Sequence, residues 1–200
     1  MSVMELKVRG RPRGFDREAA LETAMRLFWR HGYEGVSFQQ LTGALRLSAP
    51  SLYAAFGNKA ALYRECLDRY AALRGATDLS FMDEQPTLAD AARTLLDGTA
   101  KGLLDPEGEI GCMLNTGMIE SRPDHGELAD ELTARRAAFR GLLAAKLERW
   151  VDRDRAASLA RCLTASMQGM AIQARDGAGL AELQAIVAEI SSGLKAQFRD

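Results

Sequence analysis

The sequence has few cysteines, only two histidines and no long apolar run, and each shortage removes a class of function. The three cysteines, Cys66, Cys112 and Cys162, are odd in number and far apart. They suit neither a disulfide framework nor a CxxC metal site, and the plain reading of each is a buried thiol packed between helices. His31 and His125 have no partner at metal-ligand spacing, so no metal and no other cofactor is expected. No stretch approaches the roughly 18 uninterrupted apolar residues of a membrane span. The opening residues, MSVMELKVRGRPRG, lack the apolar core and small-residue cleavage site of a secretory signal. The expectation is a cytoplasmic protein without a membrane partner. β-Branched runs and period-2 alternation are missing too, which argues against strands and for an all-α fold.

Net charge is small but unevenly distributed. The net charge is −1, yet residues 1–60 hold nine Lys/Arg against five acids, while the remainder holds 17 against 22. A basic head on an acidic body fits a phosphate-binding region joined to something else.

Helix punctuation is dense. Asp16 caps a first helix ending near Arg30, with Ala20, Ala24, Leu27 and Phe28 on one face. Ser37 and Gln40 form a capping box for a short helix to about Leu45. After the tight connection Arg46-Leu47-Ser48, Ser48 caps a second short helix, Ala49 to Phe56, with Pro50 in its first turn. Gly57 ends it, and Asn58 caps a long helix to about Arg74. The polar, aperiodic stretch from Gly75 to Pro86 is the best boundary. Four or five further helices are predicted, at about 87–104, 110–121, 125–150, 153–175 and 179–198, about nine in all. The organisation read from this is a basic arm (1–15), a helix-turn-helix domain (16–74) and a larger helical domain (75–200).

Two short helices on a tight turn, bracketed by longer ones, make a helix-turn-helix, whose second helix enters the major groove of double-stranded DNA. Leu52 and Phe56 supply the apolar rear of that helix, leaving Ala49, Ser51, Tyr53, Ala54 and Ala55 on or near its open face. The run A-x-x-L-F-x-x-x-G-Y-x-G-V-S-F at Ala24–Phe38 and L-S-A-P-S-L-Y-A-A-F-G-N-K-A-A-L-Y at Leu47–Tyr63 resembles the TetR family of transcriptional regulators. The resemblance implies that Ser37, Tyr53 and Lys59 hold backbone phosphates, Lys59 with help from a helix N-terminus. The family often has His where this chain has Ala55. With Ser48, Ala49, Ser51 and Ala54 near the bases, direct readout is sparse and falls largely to thymine methyls, Arg46 and DNA shape. The arm carries Lys7, Arg9, Arg11 and Arg13 among glycines and a proline, and Arg11 and Arg13 suit a narrow minor groove.

The resemblance further implies a palindromic operator, a homodimer through the last two helices, and release of a repressor by a small-molecule effector. It implies no enzymatic activity, and an enzyme using Cys112 as nucleophile has no base in an informative context. The stripe Leu183, Ile186, Val187, Ile190 and Leu194 serves either an intramolecular core or a four-helix interface. Met113, Met118, Met167 and Met170 with Trp150 are either ordinary core or the lining of an adaptable cavity. Gly111 to Thr116 resembles a stretch of one branch of the family in which the cysteine senses electrophiles or oxidants. The alternative reading is therefore a thiol-based regulator in which modified Cys112 is the release signal.

Overall fold

The computed structural model describes residues 15–74, 78–104 and 109–198, and these are helical throughout apart from their connections. Nine α-helices are found among them: α1 (Arg17–His31), α2 (Phe38–Leu45), α3 (Ala49–Phe56), α4 (Lys59–Arg74), α5 (Leu88–Gly102), α6 (Met113–Thr116), α7 (Gly126–Leu147), α8 (Arg153–Arg175) and α9 (Leu180–Gln197).

The expected caps are in place. Asp16 accepts from the backbone N–H groups of Glu18 and Ala19. The Ser37–Gln40 box closes in both directions, at 3.1 and 2.7 Å. Ser48 caps α3, Thr87 caps α5 and Asp152 caps α8. Each side-chain oxygen satisfies an N–H that the helix itself leaves without a partner.

One expectation needs correction. The helix predicted at 110–121 is only the four-residue α6, because Gly111 (φ 95°) and Met118 (φ 54°) adopt left-handed backbone and Gly117 is extended. Within the boundary stretch, a 3-10 turn at Ser80–Glu84 places Leu79 and Met82 in the core.

Two apolar cores result. One holds α5 and α9, which pack extensively on each other, with α8 and the end of α7. Leu183, Val187 and Leu194 are buried in it, and Ile186 and Ile190 pack against it. The α9 stripe is thus used within the chain. The other core lies under α1–α4, but Met113, Met118, Leu128 and Leu132 from α6, the following loop and α7 also belong to it. No described helix is long and apolar enough to cross a membrane.

Candidate nucleic-acid interface and body cavity

The reading helix is set from behind. Leu52 and Phe56 are buried while Ala49, Ser51, Tyr53 and Ala54 are exposed. Ala55, expected near the open face, instead packs against the core. Gly57 ends α3 with φ 74°, a conformation costly for a side-chain-bearing residue. Asn58 Oδ1 then accepts from the Ala61 N–H at 2.8 Å and starts α4.

The expected DNA-contacting groups sit at helix starts or stand clear of the surface. Ser37 Oγ accepts from Gln40, which leaves its hydroxyl proton free to donate. The hydroxyls of Ser48 and Ser51 bond to each other at 2.8 Å. The Tyr53 ring stacks on Phe38 at 4.5 Å and remains 53% exposed. Lys59 is the first residue of α4, with Nζ 4.1 Å from the centre of the Tyr33 ring. Burial pushes its ammonium below the ordinary lysine range; Glu34 opposes this and Arg122 adds to it. Arg46 closes α2 in left-handed backbone, φ 53° and ψ 39°. Arg11, Arg13, Lys7 and Arg9 lie outside the described residues.

The other cations of this region are occupied. Arg17 pairs with Glu65, Arg26 with Glu22, and Arg69 with Glu18 and Glu22. Arg30 reaches Glu109 and Arg64 reaches Glu131, both in the body. Arg74 lies over the rings of Trp29 and Tyr70. Arg46 and Lys59 are the head cations with no carboxylate partner among the described residues. Residue counting along the chain gave a basic head; pairing leaves these two open among its described residues.

Head and body meet through polar anchors as well as the shared core. Trp29 Nε1 donates to the Gly111 carbonyl at 3.0 Å, and Arg175 donates to the Trp29 carbonyl at 2.7 Å. The Gly111 φ of 95° favours glycine, and a Cβ there would meet Arg175 Nε at 2.7 Å and make that side chain shift. His125 Nδ1 lies 2.6 Å from Glu34, its ring edge-on to Tyr33. Burial raises the Glu34 carboxyl, but hydrogen bonds from His125 and the Arg122 N–H, with their charges, outweigh it and hold it below the ordinary range.

The body holds a cavity of about 660 Å³, walled by α4, α5, α6, α7 and α8. Of the five expected lining residues it takes only Met167; Cys112 also faces it. The other four are corrected. Met113 and Met118 fill the joint with the head, Met170 is buried in the body core, and Trp150 packs against that core from outside. The polar lining was missed: Arg74, Arg135, Arg136, Arg140, Thr164 and Gln168 come from three helices. The spacing of Arg136 and Arg140, four apart on α7, was the available signal. Cys112 caps α6, its sulfur taking the Asn115 N–H at 3.4 Å. Cys66 is buried and its thiol pushed up by that burial, and Cys162 is exposed. No cluster of metal-ligating side chains occurs among the described residues.

A family model described as bacterial regulatory proteins of the tetR family matches residues 20–66. The chain is 36% identical to the HTH-type transcriptional repressor ComR of Escherichia coli (strain K12) over 187 residues, covering 90% of this chain and 89% of that one. It is 27% identical to the HTH-type transcriptional repressor BdcR of the same strain, covering 94% of each. A solved structure of the TetR family regulator CifR, a cysteine mutant complexed with 26bp double-strand operator DNA, is 31% identical with a TM-score of 0.84, covering 92% of this chain and 100% of that one. The exposed reading helix, its capped neighbours and these likenesses agree, and the chain belongs to the TetR family of DNA-binding transcriptional regulators.

Proposed function

We propose that the protein is a repressor that binds a palindromic operator as a homodimer in the cytoplasm and lets go when a small molecule fills the body cavity. The observation that carries this is α4. Its first residue, Lys59, stands beside the reading helix, and its last turns, at Tyr70, Ala71 and Arg74, wall the cavity. A molecule that fits one position of α4 better than another shifts the head by that difference in affinity, and operator binding is weakened reciprocally. One short helix reads few base pairs, so a dyad is needed to double them. Since the α9 stripe is consumed internally, the dimer uses other faces of α8 and α9, where Ile172 (50% exposed) and Leu180 (39%) are large apolar groups left open.

The test is a gel shift on the promoter region beside the protein's own gene. Lys59→Ala weakens binding and lowers the salt slope by about 1, and Tyr53→Phe weakens it without changing the slope. Unchanged binding in both variants overturns the contact assignment.

A second reading is favoured by the place of Cys112 on the cavity wall. There its modification would act on the same joint. The assay is DNA release by an electrophile: wild type and Cys162→Ser respond, and Cys112→Ser does not. Equal release in all three removes this reading.

A further inference from the structure

The cavity has walls of two kinds. Leu79, Phe81, Leu95, Leu103, Phe139 and Leu142 give it apolar faces. Its charged lining is one-sided: Arg74, Arg135, Arg136 and Arg140 face a single carboxylate, Asp78. Three of these arginines have other occupations. Arg135 pairs with Asp68 at 2.7 Å. Arg136 donates to the carbonyls of Leu114 and Gly117 at 3.2 and 2.9 Å. Arg74 lies over two aromatic rings. Arg140, half-buried on α7, has no hydrogen bond or ion pair among the described residues. Asp78 does not answer it, for its carboxylate takes the Ser80 N–H at 2.9 Å.

A guanidinium on an apolar wall loses hydration without gaining a partner, and an entering anion restores what is lost. The volume suits a drug-sized body, and the apolar faces require one that is mostly hydrocarbon. Gln168 and Asn115 add neutral amides to the same wall. We infer that the cavity takes an amphipathic organic anion, a carboxylate or sulfonate on an apolar body, with Arg140 as its counter-ion. This rests on the cavity being the effector site, and it narrows the effector to a chemical class.

Two dyes test it on the full chain. The dye 1-anilinonaphthalene-8-sulfonate and the neutral N-phenyl-1-naphthylamine share an apolar body and differ by the sulfonate. Arg140→Gln weakens the sulfonate dye by about tenfold and the neutral dye by less than about twofold. Arg140→Lys keeps most of the sulfonate binding. Gly98→Leu provides the location: Gly98 lies on α5 at the cavity, and a Cβ there meets nothing within 4 Å. The added side chain takes up part of the cavity and weakens both dyes. Equal effects of Arg140→Gln on the two dyes, or none on either, overturn the anion assignment while leaving the cavity as a binding site. If neither dye binds, or Gly98→Leu leaves both unchanged, the effector cavity itself fails.

Discussion

The two cores are made of different residues. The one beneath the reading helix buries six aromatic rings: Phe28, Trp29, Tyr33, Phe56, Tyr63 and Tyr70. The body core buries leucine, alanine, methionine and valine, with Phe81, Phe139, Trp150 and Phe198 only at its margin. Edge-on pairs such as Phe28–Tyr63 and Trp29–Tyr70, both 5.0 Å between ring centres, prefer particular angles and hold helices in register. Aliphatic packing is less directional and here surrounds a large cavity. The difference separates a directionally packed part, which presents the reading helix, from a less directionally packed and more adjustable part around the cavity. It also shows where the adjustable part has hold of the rigid one, since Met113, Met118, Leu128 and Leu132 are body residues inside the aromatic core.

The comparison breaks most sharply at Leu132, which is fully buried in that core. Leu132→Ala lowers stability by about 2–5 kcal/mol, and head and body still unfold in one calorimetric transition. Two resolved transitions already in the unsubstituted protein would mean that the shared core is not what joins them. Arg175→Met keeps the stem over Gly111 but loses the bond to the Trp29 carbonyl. It costs about 1 kcal/mol by denaturant midpoint, and a value near zero would leave the joint to apolar packing alone.

Acid distinguishes the polar joint from both cores. Glu131, through its hydrogen bond to Arg64, and Glu34 both titrate below the ordinary glutamate value. Their folded forms therefore favour the anion. The stability they add is present above the ordinary value and is lost as pH falls through the lowered one. Thermal midpoints measured from pH 6 to 3 drop along this limb, and Glu131→Gln makes the drop shallower. An unchanged slope would assign the acid sensitivity to other carboxylates. The smallest effect on stability belongs to Arg46→Gly, at about 0.5 kcal/mol or less, because relief of left-handed strain offsets the added freedom of the unfolded chain. Operator affinity falls all the same, so this variant separates fold from function.

Much of this was legible in the sequence because it is local. Asp16, Ser37 with Gln40, Ser48 and Asn58 announce their helices within three residues, and Leu52 and Phe56 announce the buried rear of α3. The helix at 110–121 was misread because its apolar residues repeat at helical spacing. Gly111, Gly117 and the left-handed Met118 break it, and only the last lacks a sequence signal. What stayed hidden depends on distant partners. Arg30 meets Glu109 and Arg64 meets Glu131 over chain separations of 79 and 67 residues, and no periodicity tells a paired arginine from an open one. The methionines misled for a related reason. An adaptable side chain suits a joint as well as a cavity wall, and only packing decides between them.

Trp29 gives the joint a built-in optical reporter. The chain has two tryptophans. Trp29 is 2% exposed, bonded to Gly111, edge-on to Tyr70 and covered by Arg74. Its indole touches α4, the loop before α6 and the residues that close one side of the cavity. Its emission therefore responds to any repositioning of the head on the body. With Trp150→Phe removing the second fluorophore, candidate small molecules and operator DNA can each be titrated against unlabelled protein, and one wavelength tests whether the two are coupled.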